Sequence, residues 1–445
     1  MAEETDILNL YPGYFRAFEE LMLGKSDTVI DSIRRNAFEQ FITSGFPTNK
    51  NEEWRFTNIT PITKRKFVPS FREMPHKIQA EQLEKIIIPG MSANRLVFVN
   101  GKYDKNLSLI KSKNGQIEIG SLSEAILSRS EIVKEHLSRY ANFEKNPFTA
   151  LNTGFINDGA LVHIPGGIML EDPVYILFIA SGSSNPFVYH PRNLILIGKN
   201  SRTSIVEHYV NFDGNSYFTN GVTELMLEEH SVATHTKILD ESKDAFHIGS
   251  TEVHQKNNSN FTSHSISIGG SLIRNNLTSV LDGERIECTF NGLSLGTAGQ
   301  LIDNHTTIDH ARPNCSSHEL YKAILDGRSK GVFNGKIYVR KDAQKTDAKQ
   351  TNKTLLLSDT ATINTKPQLE IFADDVKCTH GATIGYLDSE SIFYLRSRGI
   401  SEDAAREMLT FAFANDVIKR ITLEPVQAHL QQIINYRLKH RERNV

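Results

Sequence analysis

Between residues 199 and 319 one short pattern recurs, and it restricts the fold more than any other feature of the chain. Five segments carry it: Ser201-Arg-Thr-Ser-Ile-Val, Ser231-Val-Ala-Thr-His-Thr, Ser259-Asn-Phe-Thr-Ser-His, Glu284-Arg-Ile-Glu-Cys-Thr and Asn314-Cys-Ser-Ser-His-Glu. A polar turn precedes each one: Lys199-Asn200, Glu229-His230, Asn257-Asn258, Asp282-Gly283 and Arg312-Pro313. Successive starts lie about 25 to 30 residues apart. Degenerate recurrence at such a period marks stacked β units, in which each rung buries its face only against its neighbours. A β-sandwich also alternates, with hairpin turns roughly every 8–12 residues. Asn-Gly and Asp-Gly pairs do occur, at Asp282, Asn291, Asp326 and Asn334. The pattern therefore leaves both architectures open and favours the parallel β-helix modestly.

The texture on either side is helical. Tyr14, Phe15, Phe18, Leu21 and Met22 fall at helical spacing, as do Val29, Ile33, Ala37 and Phe41. Arg95 to Asn100 reads as a strand entering a turn at Gly101, and Leu122 to Tyr140 as helical. Trp54, the only tryptophan, reads as a core plug. Near the C-terminus Ser401 is an N-cap with Glu402 and Asp403 in the first turn. Ala405, Met408, Leu409, Ala412 and Phe413 form an apolar stripe, and Leu430, Ile433, Ile434 and Leu438 a second, followed by a basic tail. Three regions are expected: a helical and mixed region over 1–155, a parallel β-helix core over 156–378, and a C-terminal helical domain over 379–445. The fold class is thus mainly β.

Composition narrows the function. The chain has 445 residues, 39% hydrophobic and 23% charged, enough for a sizeable core. A net charge of −2 lacks the basic excess of a nucleic-acid binder. The longest apolar runs, such as Val174 to Ala180, fall far short of the roughly 20 residues that span a bilayer. Cys288, Cys315 and Cys378 cannot pair completely, and the acidic start Met-Ala-Glu-Glu-Thr-Asp is unlike an export signal, so a cytoplasmic protein is expected.

Few stretches carry chemistry. Gly331-Val-Phe-Asn-Gly-Lys336 is one residue short of a phosphate-binding loop and lacks the following Ser/Thr. His305 and His310, five apart, point to opposite faces of a strand, so they read as core or turn residues and not as a metal pair. Asp374 and Asp375 are adjacent and would likewise diverge on a strand. The most informative run is Leu369-Glu-Ile-Phe-Ala-Asp-Asp-Val-Lys-Cys378-Thr-His380-Gly381, which reads as a strand ending at a glycine able to turn the chain. Cys378 and His380 share a face of that strand. Thiolate and imidazole both suit iron or zinc, but two donors are half a site, so another chain must complete any cluster. Spacing alone favours a buried cysteine beside a surface histidine.

The same run, with Ile392-Phe-Tyr-Leu-Arg-Ser-Arg-Gly-Ile400, Gly331-Val-Phe-Asn-Gly-Lys-Ile-Tyr-Val339, Ala343-Gln-Lys-Thr-Asp-Ala-Lys-Gln350, Leu355-Leu-Leu-Ser358 and Asp303-Asn-His-Thr-Thr-Ile-Asp-His310, resembles the SufB/SufD family of iron–sulfur cluster assembly scaffolds. So does Gly45-Phe-Pro with Glu53-Trp-Arg-Phe-Thr57. The Cys-x-His-Gly motif points to the SufD branch, since the Glu-His-Glu-Ala pattern and cysteine-rich N-terminal motifs of SufB are missing. The resemblance implies a right-handed parallel β-helix between helical regions and a non-enzymatic scaffold. It implies pairing with SufB through the β-helices and binding of the SufC ATPase by the C-terminal helices. It also implies a transient iron–sulfur cluster at the SufB–SufD junction, with a cysteine from SufB and His380 from this chain as metal ligands. Cys378 stands at the motif position as a further cluster-binding candidate. The chain alone would hold no cofactor stably and could form a homodimer. The alternative is a metal-dependent or carbohydrate-active β-helix enzyme. The lack of an export signal and of a carboxylate pair disfavours it.

Overall fold

The computed structural model describes residues 7–72, 77–112, 115–182, 185–214 and 216–440. Its centre is a stack of two parallel sheets that the chain visits in turn. One sheet runs from Ala160–Ile164 through Arg192–Ile197, Tyr217–Leu227, Phe246–Gln255, Leu272–Leu281, Leu301–His310 and Lys330–Val339 to Thr362–Ile371. The other runs from Asn94–Val99 through Val174–Ala180, Arg202–Asn211, Val232–Asp240, Asn260–Ser267, Glu287–Gly296, Ser316–Leu325 and Asp347–Leu356 to Lys377–Gly385. Every pairing from Glu224 to Asn291 is parallel, so the Asn-Gly and Asp-Gly pairs make no hairpins there.

The recurring turn has a physical cause. Asn200, His230, Asn258, Arg285, Asn314 and Lys345 all take φ near +60° just before a strand of the second sheet. One left-handed residue per rung redirects the chain, and asparagine adopts that conformation more readily than most side chains. The next residue closes the corner: the hydroxyls of Ser231, Ser259 and Thr346 donate to the carbonyls of Glu228, Lys256 and Ala343 at 2.6, 2.6 and 2.8 Å. The fourth turn pivots at Arg285 and not at Gly283, so its strand starts at Glu287, later than the sequence pattern suggests.

Alternate residues point into the bore, where Phe178, Tyr209, Phe261, Phe290 and Phe333 belong to one core. The solenoid also reaches back beyond residue 156, because Asn94–Val99 pairs in parallel with Val174–Ala180. It reaches forward as well, and residue 378 falls inside its last strand. The N-terminal helices Tyr11–Met22 and Thr28–Ser44 bury Tyr11, Phe15, Phe18 and Phe41, while Leu21 and Val29 face solvent. Leu122 to Tyr140 folds as two short helices, Leu122–Leu127 and Glu131–His136. This region is stapled to the solenoid by a buried ion pair. Arg192 Nη2 lies 2.6 Å from Glu224, whose carboxylate also accepts from the backbone N–H groups of Ser138, Tyr140 and Ala141.

After Gly385 come helices Ser389–Ser397, Glu402–Ile418 and Glu424–Lys439. Val417, Leu430 and Ile434 pack back onto Ile238, Ile266 and Leu293 on the outer face of the second sheet. Lys322 fixes the middle helix through Asp416 at 2.7 Å. The expected basic tail runs from Arg437 to Arg443, and its last three residues lie outside the described residues. No described helix is long and apolar enough to cross a membrane.

Candidate functional site

The two sheets end together. Thr362–Ile371 and Lys377–Gly385 are the last strands of their sheets, so each presents one edge of unpaired backbone groups. Asp374 and Asp375 lie in the corner between them and not on a strand. Lys345 pairs with Asp375 across to the preceding corner. Pro367 sits in the first edge strand, where its missing N–H costs no ladder bond on the open side. Around this rim Ile371, Phe372, Ile384 and Tyr386 are exposed.

Cys378 and His380 stand on the second edge strand, in register with Ala348 and Gln350. Cys378 packs against the core cluster of Ile337, Ala348 and Ala373, so its side chain points inward. By the pleat, His380 points to the same side and stands exposed over the mouth of the bore. Gly381 lies mid-strand without a positive φ, so it does not turn the chain. His380 is accessible because no further rung covers it.

Beneath His380 the inward column is polar. Gln350 and Glu319 occupy the next two rungs and are buried. Gln350 Nε2 donates to Glu319 Oε2 at 2.7 Å, while Gln350 Oε1 has no partner. Burial pushes the Glu319 carboxyl up to about 7. Burial, and then the Asp347 charge, also raise the Cys378 thiol, which disfavours the thiolate needed for ligation by this chain alone. Among the described residues no three His, Cys, Asp or Glu side chains converge as a metal site.

A second polar cluster lies on the outer face of the first sheet. His305 points outward, 3.0 Å from Asp303 and 3.2 Å from Glu53. Burial is the largest single influence and opposes its charge, but Asp303 and Glu53 together hold the imidazole above its ordinary value. Arg274 bonds Asp303 at 2.9 Å and lies 3.8 Å from the Trp54 ring centroid, so the tryptophan is a buried plug as its sequence suggested. These contacts clamp the Glu53-Trp-Arg-Phe-Thr57 run onto the solenoid. His310 faces the opposite way, into the bore, 2.9 Å from Ser317. The two histidines are not a pair. Gly331 to Lys336 is ladder strand with no phosphate-cradling loop.

The C-terminal stripe is split. Ala405 is buried, but Met408 and Ala412 face solvent, because the helix buries Ala414, Val417 and Ile418 instead. Phe393 and Tyr394 on the preceding helix are exposed too, and Tyr394 lines a surface depression with Leu409.

Comparison with known proteins decides the lineage. Residues 178–413 match the family model of the SUF system FeS cluster assembly SufBD core domain, and residues 5–176 match that of the SufBD protein N-terminal region. The chain belongs to the SufBD family. An iron–sulfur cluster assembly SufBD family protein of Synechocystis is 32% identical over 94% of this chain and 93% of its own length. Iron–sulfur cluster assembly protein SufD of Escherichia coli is 28% identical over 90% and 91%. SufB of Bacillus subtilis is 24% identical over 80% and 77%. In this SufBD protein the core match covers the open terminal rung and its Cys-x-His-Gly run. Sequence reasoning missed Gln350 and Glu319. The signal was present: positions 380, 350 and 319 are spaced by 30 and 31 residues, the period of the turns.

Proposed function

We propose that this SufBD protein is a SufD-type, non-enzymatic scaffold that completes a cluster-assembly site with a SufB partner. The observation that carries the reading is the uncapped terminal rung, with His380 exposed over the bore and unpaired strand edges beside an apolar rim. Edge strands of this kind accept a further strand ladder, and the rim supplies apolar area for the contact. His380 offers one imidazole donor, and an iron–sulfur cluster takes about four ligands, mostly thiolates. The cluster is cargo: it forms transiently at the junction, with a SufB cysteine and His380 as ligands. Cys378 packs at the junction and supports it. Without SufB, the same rung offers a homodimer surface to a second copy. The exposed face of Phe393, Tyr394 and Met408 fits the binding surface for SufC, and the complex works in the cytoplasm.

Ile384→Lys tests the junction. A charge at the rim, away from His380, should abolish co-purification with SufB and leave the melt of the chain unchanged. Removing residues after 385 should abolish SufC co-purification. Retention of SufB by Ile384→Lys would refute the proposed junction.

A further inference from the structure

We propose that Gln350 is the positioning residue for His380. Its side-chain carbonyl receives the imidazole N–H of His380 when the ring binds iron, and Glu319 fixes the amide in the orientation that leaves this carbonyl free. The inference rests on the reading of His380 as a ligand and adds the acceptor that sets its tautomer.

The geometry supplies each part. Gln350 is the ladder partner of His380 and lies one rung inward, about 4.8 Å along the stack. Its amide nitrogen is committed to Glu319 Oε2 at 2.7 Å. Its carbonyl oxygen is buried and has no partner, and such an orphan acceptor costs about 1–3 kcal/mol. Asn352 also carries an orphan oxygen, but it lies under Ala382, which offers no side-chain donor. The bore is shaped for the glutamine. Gly335 faces it from the other sheet, and a Cβ there would stand 2.3 Å from Gln350 Nε2. A histidine that binds metal through one ring nitrogen donates the other N–H to an acceptor, which fixes the tautomer and raises ligand basicity. Gln350 Oε1 is a buried, vacant acceptor on the ladder partner of His380.

The test uses the complex purified with its SufB and SufC partners and loaded with ferrous iron and sulfide. Wild type, Gln350→Leu, Gln350→Glu and His380→Ala are compared. Iron and sulfide content is measured, and pulsed EPR of the reduced cluster reads the imidazole nitrogen couplings. Gln350→Leu should lower iron affinity by about 10–100-fold and shift the remote-nitrogen coupling. Gln350→Glu keeps an acceptor, with one proton shared between the new carboxyl and Glu319 in place of the lost amide N–H, and should restore affinity. If Gln350→Leu fails to fold, Gln350→Met replaces it in the same comparison. Unchanged affinity and coupling in the apolar variant, with His380→Ala empty, would overturn the role of Gln350 alone. Normal loading of His380→Ala would overturn the ligand reading beneath it.

Discussion

Glu319→Gln should stabilise the chain, and only at neutral to alkaline pH. The Glu319 carboxyl is buried in the bore, and burial lifts it to about 7 from an ordinary 4.5. A carboxyl raised on folding favours the protonated native state. Its contribution is fully present below about 4.5 and is lost as pH rises through about 7. The gap of about 2.5 pH units, at 1.36 kcal/mol each, amounts to about 3 kcal/mol by pH 8. Glutamine keeps the shape, still accepts from Gln350 Nε2 through its carbonyl and cannot ionise. For a chain of this length the unfolding entropy is on the order of 0.9 kcal/mol per degree, so the melting temperature should rise by about 3 °C at pH 8. At pH 4 the two proteins should melt together. The assay is a series of calorimetric melts of wild type and variant between pH 4 and 8. A difference independent of pH, or a variant less stable at pH 8, would refute the assignment of a strained carboxyl beneath His380.

Two further outcomes follow from the packing. Arg192→Ala strips a buried carboxylate of its cation and should cost about 3–5 kcal/mol, read as a loss of soluble yield or a lowered denaturant midpoint. Gly335→Ala forces a methyl against the Gln350 amide and the Phe333 ring, so it should destabilise by about 1–3 kcal/mol in the same assay.

The stacked sheets were legible because each rung needs one left-handed turn residue and a polar closure, and these choices repeat at Asn200, His230, Asn258 and Asn314. Parity was legible too: it separated His305 from His310 and joined Cys378 to His380. What stayed hidden depended on contacts far apart in sequence. Asn94–Val99 joins the solenoid only through Val174–Ala180, 80 positions later, and no local pattern announces that pairing. The stripe from Ala405 to Phe413 suggested one buried face, but Lys322 and the outer sheet select another. Gly381 looked like a turn because glycine allows one, and the ladder to Thr351 kept it extended. The column of Gln350 and Glu319 under His380 appears only when residues one turn period apart are aligned.

The most direct test of the account is cluster loading on the assembled complex carrying His380→Ala. The side chain is exposed on a terminal rung, and such substitutions usually change stability by no more than about 0.5 kcal/mol. Co-purification with SufB and SufC and the thermal melt should therefore match wild type, while iron and sulfide content should fall to background. Wild-type loading would contradict the ligand role of His380, and a collapsed melt would assign the residue to the fold instead.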